Sequence, residues 1–280
     1  MTPNVQSKFG LRAAIQSQLR MFMRRIALGT FKEAMVEHPF LDTMLKVVIA
    51  DPVAAKWYRD GLPTASEMHF MRDYALKPGA RVFDIGAHQA VIAAMLTKIV
   101  GKQGQVVALE PDPFSYKTAL RNKALNQLDQ LEIIHAAGAD VTMMIEFGLT
   151  VGTSGEIAVK GDGLPTMSVQ AYSVDDLTER YGRPDVLYID VEGFEEKVLS
   201  GARRTLESAR PDCVVEVHIG RGLEKQGGSA AGILRFFPTK IYDIYIKHPD
   251  PKKRDLLVPL DQVGVENWNY HCNMVAVKRA

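Results

Sequence analysis

Unbroken apolar runs recur along the chain from residue 81 onward, and stretches with helical periodicity separate them. The runs span residues 81–85, 106–109, 131–137, 186–190, 213–218, 241–246 and 272–277. Strands of a parallel sheet have such runs, because both of their faces are buried and neither alternates with solvent. The pattern predicts an α/β protein with a mostly parallel, seven-stranded sheet and helices on both faces.

An amphipathic helix is predicted at the start of the chain. Leu11, Ile15, Leu19, Phe22 and Ile26 recur at helical spacing. The first 32 residues contain no acidic residue, and their basic residues are Lys8, Arg12, Arg20, Arg24, Arg25 and Lys32. Three interpretations remain open: a helix packed on its own domain, a helix on an anionic membrane surface, and an organelle transit peptide.

The segments between the helix and the apolar runs are less regular. Residues 33–76 are predicted to be helical, with breaks at Pro39, Pro52 and 61–63, and to cap the edge of the sheet. Residues 141–147 and 156–160 resemble a hairpin pair around a Gly-rich loop. We therefore expect a helical extension over residues 1–70 and a catalytic domain over residues 71–280.

Composition narrows the class of protein. The chain has 280 residues, of which 46% are hydrophobic, so it can bury a core without disulfides. A net charge of +1 excludes a global basic field for nucleic acids. Cys213 and Cys272 lie in apolar runs, which indicates reduced core thiols and a cytoplasmic protein. Charged residues interrupt every apolar stretch before it reaches the length of a membrane span, so we expect a soluble or peripheral protein.

Residues 82–113 carry the clearest functional signal. A strand ends near Asp84, a turn follows at Gly86, and after a helix the next strand ends in Glu110. In a nucleotide-binding βαβ unit, the glycine lets the backbone approach a ligand and the second acid binds a ribose diol. The segment therefore predicts a nucleoside cofactor.

The residues after the turn decide which nucleoside fits. Dinucleotide folds use Gly-x-Gly-x-x-Gly to hold a pyrophosphate, but His88 and Val91 occupy the second and third glycine positions here. NAD and FAD are therefore disfavoured. S-adenosylmethionine has no phosphate and needs only a tight turn, an acidic strand end and a carboxylate for its ribose, so we expect it as the cofactor.

Six sequence blocks in one order resemble the FkbM-type methyltransferases over about residues 66–279. The blocks are FDIGAH (83–88), ALEPDP (108–113), SVDDL (173–177), YIDVEGFE (188–195), LSGA (199–202) and VVEVH (214–218). The resemblance implies a Rossmann-like class I methyltransferase fold and methyl transfer to hydroxyl groups. The chain departs from the family at His88, Ala90 and Tyr188, where Asn, Gly and Lys are usual, and His tolerates the positive φ of such a turn.

Together, the motif and the resemblance predict a cofactor site. Its expected residues are Asp84, Gly86, Ala87, His88, Glu110, Pro111, Asp112, Phe114, Gly138 and Asp190. The resemblance implies that Asp112 and Phe114 border the adenine, although Asp112 could instead cap a helix. Gly138 is equally consistent with a simple turn.

Four residues at two strand ends are candidates for the chemistry. Asp190 and Glu192 could hold the ammonium of the cofactor or orient a substrate hydroxyl, or they could cap the next helix. Binding of a divalent metal is a weaker alternative, and no metal ligands are assigned. His218, with a pKa near neutrality, is the expected base, and Glu216, two residues earlier on the same side, is expected to orient it.

We therefore expect an O-methyltransferase that acts on a hydroxyl of a sugar, glycolipid or secondary metabolite. The sequence lacks the Pro-Pro-aromatic segment of enzymes that methylate nucleic-acid bases, so nucleic acid is not expected as a partner. A non-catalytic binding or scaffold protein and a protein recruited to membranes by residues 1–32 are the alternatives. The sequence does not decide between a monomer and a homo-oligomer.

Overall fold

The chain begins with a helix and a hairpin and continues into an alternation of strands and helices. The computed structural model describes residues 4–40, 43–61, 66–150, 155–158, 163–253 and 255–279. The N-terminal elements are α1 (Asn4–Thr30), β1 (Ala34–Phe40), β2 (Thr43–Ile49), α2 (Pro52–Tyr58), α3 (Ser66–Phe70) and a π-helical turn, Met71–Ala75.

The elements that follow make up the α/β part of the chain. Its strands are β3 (Arg81–Ile85), β4 (Gln105–Leu109), β5 (Leu131–Ile134), β6 (Ala137–Gly138), β7 (Met143–Gly148), β8 (Glu156–Ile157), β9 (Thr166–Tyr172), β10 (Val186–Ile189), β11 (Asp212–Val217), β12 (Tyr242–Lys247), β13 (Leu257–Pro259) and β14 (Cys272–Lys278). Its helices are α4 (Val91–Val100), α5 (Pro113–Leu125), α6 (Val174–Tyr181), α7 (Glu195–Ser200), α8 (Arg203–Ser208), α9 (Ala230–Leu234) and α10 (Leu260–Val263).

The large sheet has the strand order β13-β12-β14-β11-β10-β3-β4-β5. Strands β11, β10, β3, β4 and β5 are parallel, and β14 is antiparallel to both of its neighbours, β11 and β12. Strand β12 therefore points in the same direction as the parallel strands. The predicted Rossmann-like fold is confirmed, and the three-residue edge strand β13 adds one strand to the predicted seven.

Both faces of the central strands are buried, as the unbroken apolar runs predict. Val82 and Val106 pack into a core on one face of the sheet, together with residues of α4. Phe83 and Val107 pack into a second core on the other face. Because apolar contacts occupy both faces, polar side chains of these strands collect at the strand ends, where open α/β sheets bind their ligands.

The prediction that residues 33–76 are helical is wrong for residues 34–40 and 43–49. Strands β1 and β2 pair there as an antiparallel hairpin, with Val36 opposite Val47. The β-branched residues 47–49 favour a strand, and all three are buried. The N–H of Val48 donates to Oδ1 of the buried Asn122 at 2.7 Å, which ties the hairpin to α5.

A smaller sheet follows the third parallel strand, in the order β6-β9-β7-β8. The predicted hairpin pair is confirmed by the register of β7 and β8, which places Phe147 opposite Ile157. The predicted strand 131–137 ends earlier, at Ile134. Strand β9 was not predicted, because its half-exposed residues form no unbroken apolar run. Residues 151–154 and 159–162 of the predicted loop lie outside the described residues.

Helix α1 contacts the rest of the chain through the side that carries Met21 and Arg24. Arg24 is buried, its Nη2 lies 2.5 Å from Oδ2 of Asp112, and its Nη1 donates to the carbonyl of Thr150 at 2.8 Å. The opposite side carries the apolar stripe, since nine residues rotate a helix by about 180° from Ile15 to Arg24. The stripe residues with described side chains are between 47% and 60% exposed: Ile15, Leu19, Phe22, Met23 and Ile26.

The interpretation that this stripe packs on its own domain is therefore wrong for residues 15–26. The side chain of Leu11 lies outside the described ones. Within the described part of the chain, no helix combines the length and the apolar character needed to cross a bilayer. Cys213 and Cys272 are buried free thiols, as predicted.

Candidate cofactor and acceptor site

The turn after β3 brings the backbone of two strand ends into contact. Gly86 has φ +100°, and a Cβ at this position would lie 1.8 Å from the carbonyl oxygen of Asp190. His88 and Ala90 also have positive φ, at 50° and 57°. The expectation that His88 fits a left-handed turn is confirmed. Ala90, at the helix N-cap, adopts this conformation without a glycine, which costs about 1–2 kcal/mol.

Glu110 stabilises this turn from the end of β4. Its Oε2 accepts the N–H of His88 at 2.7 Å, and its Oε1 accepts the N–H of Asp112 at 2.6 Å. Burial, reinforced by the charge of Asp112, raises the pKa of Glu110 well above its usual value, although the two backbone hydrogen bonds oppose this shift. Each oxygen keeps a second lone pair, so the carboxylate can still accept a hydroxyl.

Asp84 lies beneath the turn and is fully buried. Neither of its carboxylate oxygens has a hydrogen-bond partner among the described residues. Burial raises the pKa of Asp84 to about 7. An unpaired buried carboxylate is costly, so a cationic ligand group placed near it would be stabilised.

A cavity lies over the ends of β3, β4 and β10. Seven predicted site residues line it: Gly86, His88, Glu110, Pro111, Gly138, Asp190 and Glu192. Sequence reasoning missed most of its apolar wall, which includes Trp57, Phe147, Ile157 and Phe194. Phe147 and Ile157 lie on the predicted hairpin, but no sequence pattern indicates that the hairpin faces the site.

Four predicted cofactor residues do not line this cavity: Asp84, Ala87, Asp112 and Phe114. Asp112 instead caps α5, because its Oδ1 accepts the N–H groups of Phe114 and Ser115 at 2.9 and 3.1 Å. Its Oδ2 pairs with Arg24. The alternative interpretation of Asp112 as a helix cap is therefore confirmed.

His218 lies among three carboxylates next to the cavity. Its Nδ1 is 2.7 Å from Oε1 of the buried Glu195, and its Nε2 is 3.3 Å from Oε2 of Glu192 and 3.8 Å from Oδ1 of Asp190. Burial alone would lower the pKa of His218, but Glu192, Glu195 and Asp190 outweigh it and raise the pKa to about 11. The expected imidazole with a near-neutral pKa is therefore wrong, because His218 keeps its proton at neutral pH.

The expected pair of Glu216 and His218 also needs correction. Oε1 of Glu216 lies 2.7 Å from Nε2 of His271, and the rings of His218 and His271 are 4.7 Å apart. Glu195, not Glu216, holds His218. Glu195 and His271 were both missed; the only sequence signal for Glu195 is its place in the YIDVEGFE block. Burial would raise the pKa of Glu216, but His271 and nearby cations lower it.

Desolvation by the surrounding protein and the charge of Glu216 raise the pKa of Asp190 well above its usual value, although 30% of its side chain is exposed. Tyr188 is buried close to the same carboxylates, and its pKa is also raised. Lys247, at the end of β12, lies 3.0 Å from Oε2 of the buried Glu67.

The fold and the turn define a Rossmann-like enzyme domain with a nucleoside-cofactor site. The family profile described as Methyltransferase FkbM domain matches residues 84–244. The chain therefore belongs to the FkbM family of S-adenosylmethionine-dependent methyltransferases. A second profile, Protein-L-isoaspartate(D-aspartate) O-methyltransferase, matches residues 12–142, which is less than half of the chain. The search of curated proteins gave no match.

Solved structures with a similar fold include methyltransferase FkbM from Methylobacillus flagellatus, which is 17% identical with a TM-score of 0.46. The match covers 71% of this chain and 43% of that protein, so the chain spans less than half of its length. Aeropyrum pernix fibrillarin with bound S-adenosylmethionine is 12% identical, with a TM-score of 0.46 and coverage of 90% and 86%. A Thermotoga maritima S-adenosylmethionine-dependent O-methyltransferase is 14% identical, with a TM-score of 0.44 and coverage of 88% and 77%.

The residues present fit this cofactor. Glu110 offers carboxylate oxygens at the second strand end, and Asp84 supplies a buried carboxylate without a partner among the described residues. Gly138 lines the cavity and packs its backbone closely on the core, because a Cβ there would lie 2.3 Å from Cγ2 of Ile85. Apolar side chains line the remainder of the cavity.

Proposed function

We propose that the chain is an O-methyltransferase that acts on a hydroxyl group of a sugar, glycolipid or secondary metabolite. The observation that carries this proposal is the pair of carboxylates, Asp190 and Glu192, in the wall of the cofactor cavity. Methyl transfer to a hydroxyl requires the acceptor oxygen to be aligned and its proton to be removed. Carboxylates at the cavity wall serve both needs.

Each site residue then has a distinct role. Glu110 binds the ribose hydroxyls, and Asp84 compensates the ammonium of the methionine part. When bound, the cofactor supplies the electrophilic methyl group. Asp190 accepts the hydroxyl proton, because its pKa is raised and its side chain reaches the cavity. His218, protonated and held by Glu195, positions Asp190 and Glu192.

The first test is calorimetric titration of the purified chain with S-adenosylmethionine and S-adenosylhomocysteine. We expect micromolar binding that falls at least tenfold in Glu110→Ala and stays unchanged in Glu207→Ala, an exposed control. Methyl transfer to a panel of hydroxylated acceptors should then require Asp190, with Asp190→Asn losing turnover while keeping cofactor binding. An intact chain that binds neither ligand would favour the non-catalytic scaffold alternative.

The exposed stripe of α1 supports a second proposal, recruitment of the enzyme to anionic membranes. An apolar stripe more than 40% exposed, on a segment with basic residues and no acidic ones, matches an interfacial helix. Arg24 of α1 pairs with Asp112, and the stripe lies on the opposite side of the helix. The stripe is therefore able to enter a bilayer while the helix stays docked. We therefore propose a cytoplasmic enzyme at a membrane surface, with residues 1–70 as its extension and 71–280 as its catalytic domain.

Liposome co-sedimentation tests this recruitment. The full chain should sediment with vesicles that contain phosphatidylserine and much less with pure phosphatidylcholine vesicles. Leu19→Ser combined with Phe22→Ser should reduce the bound fraction at least fivefold. Met35→Ser, which removes an equally exposed apolar side chain from the hairpin, is the matched control. Equal recovery of the full chain and the double variant would refute recruitment by the stripe.

A further inference from the structure

We propose that Asp190, Glu192 and His218 bind one divalent metal ion at the wall of the cofactor cavity. The role of the ion rests on the proposed function, since it would act on an acceptor hydroxyl, whereas the site itself is argued from geometry and charge. The ligand atoms come from three places: the end of β10, the turn that follows it, and the residue after β11.

The spacing of the ligand atoms fits a single ion. Two ligand atoms about 2.1 Å from one ion, at angles of about 90–110°, lie roughly 3.0–3.5 Å apart. Nε2 of His218 is 3.3 Å from Oε2 of Glu192 and 3.8 Å from Oδ1 of Asp190. The three ligand atoms lie within 4.8 Å of one another. Small rotations of the two partly exposed carboxylates would bring them to bonding distance.

Glu195 provides a second, independent observation. Metal-binding histidines usually donate their other ring N–H to a carboxylate, which fixes the tautomer and the ring orientation. Glu195 is fully buried and lies 2.7 Å from Nδ1 of His218, so Nε2 is directed toward the other two carboxylates. Its Oε1 also accepts the N–H of Gly193, while its Oε2 is buried without a hydrogen-bond partner among the described residues.

The charge balance favours a divalent cation. Three carboxyl groups, those of Asp190, Glu192 and Glu195, surround one imidazole, so acidic groups are in excess at this point. An ion that replaces the Nε2 proton would offset this excess. Two carboxylates and one imidazole suit Mn²⁺ better than Ca²⁺, which prefers an all-oxygen shell. Asp190 and Glu192 line the cavity, so an acceptor hydroxyl there could bind to the ion and would then lose its proton more readily.

A second ligand set shares His218, namely Glu216, His218 and His271. Oε1 of Glu216 and Nε2 of His271 are only 2.7 Å apart, so these two groups already pair with each other. Nδ1 of His218 is held by Glu195. The set with Asp190 and Glu192 is therefore the favoured one, and His271 offers a matched control.

Titration of the chelator-treated full chain with Mn²⁺, followed by the loss of the free-ion EPR signal, tests the site. We expect one ion per chain with micromolar affinity. Asp190→Asn and Glu192→Gln should each weaken binding at least tenfold, and Glu195→Gln between tenfold and a hundredfold. His271→Ala should change it less than twofold. Pulsed EPR should detect nitrogen coupling from one imidazole, and His218→Gln should abolish that signal.

Absence of Mn²⁺ binding by the intact chain would overturn the proposal, as would binding that depends on His271 but not on Asp190. Far-UV circular dichroism checks that each variant folds, and Glu192→Gln, with 37% of its side chain exposed on a turn, disturbs no core. Titration of the same samples with S-adenosylmethionine separates the two proposals. Cofactor binding without Mn²⁺ binding refutes only the metal site, whereas no cofactor binding refutes the proposed function.

Discussion

The carboxylate of Asp84 is buried, and neither of its oxygens has a hydrogen-bond partner among the described residues. In the folded chain its pKa is about 7, compared with 3.8 for an exposed aspartate. Well below pH 3.8 the folded and unfolded states both hold the proton, so ionisation of this group has no effect on stability. Between about pH 4 and 7 the unfolded state ionises first, so stability falls as the pH rises.

We expect Asp84→Asn to remove this fall in the cofactor-free protein. A shift of about three pKa units corresponds to at most about 4 kcal/mol of unfolding free energy above pH 7. The change in unfolding free energy between pH 4.5 and 8 is measured by urea unfolding. The samples are the wild type, Asp84→Asn and the exposed control Asp129→Asn. If Asp84→Asn lost as much stability between these pH values as Asp129→Asn does, the buried charge would not be the cause.

Gly86 should tolerate no side chain, for a reason beyond its positive φ. Gly79 has a similar φ of +88°, and a Cβ there would meet no atom of the described residues within 4 Å, whereas a Cβ on Gly86 would meet the Asp190 carbonyl at 1.8 Å. Gly79→Ala should therefore cost about 1–2 kcal/mol of stability from backbone strain alone. Gly86→Ala should cost clearly more and abolish cofactor binding, which denaturant unfolding and calorimetry would measure. Equal losses would show that the close approach of the two strand ends does not matter.

At the scale of elements, helix α1 is held by a buried ion pair. Removing one member of such a pair leaves an uncompensated buried charge, which costs about 3–5 kcal/mol. We therefore expect Arg24→Ala to lower the unfolding free energy by this amount and Arg24→Ala with Asp112→Asn to lower it less than the sum of the single losses. Arg121→Ala, which breaks an ion pair of half-exposed side chains with Glu33, is the control and should cost less than about 1 kcal/mol. Similar losses for both arginines would contradict a buried role for Arg24.

The sequence predicts those elements whose burial leaves a distinct pattern. The parallel strands β3, β4, β10 and β11 are fully flanked by core, so their apolar runs are unbroken and predict their positions to within a residue or two. The hairpin β1–β2 and strand β9 are half exposed, and their mixed pattern does not distinguish a strand from a helix or a loop. For α1 the pattern predicts the helix, but not that Arg24 lies on its buried side, since tertiary pairing decides that.

At the scale of the whole molecule, the sequence predicts those cavity residues that lie at a strand end and also belong to a motif. Gly86, Glu110 and Asp190 are examples. Glu195, His271 and Lys247 were missed because their roles depend on contacts between elements far apart in the chain. The position of His218 at a strand end was predicted but its raised pKa was not, since three carboxylates between the end of β10 and the start of α7 set that pKa. Sequence patterns therefore indicate which residues lie at the strand ends around the cavity more readily than they indicate the charge state of those residues.

A continuous chain of contacts links helix α1 to the cofactor site. Arg24 pairs with Asp112, and the N–H of Asp112 donates to the Glu110 carboxylate, which is proposed to bind the ribose. If cofactor binding fixes Glu110, it should also stabilise the docked helix, because the coupling between two binding events is reciprocal. We expect S-adenosylmethionine to slow amide hydrogen exchange in residues 20–28 at least threefold. Exchange in α8, which does not line the cavity, should stay unchanged. If the exchange rates in α1 were the same with and without saturating cofactor, the helix and the site would be independent.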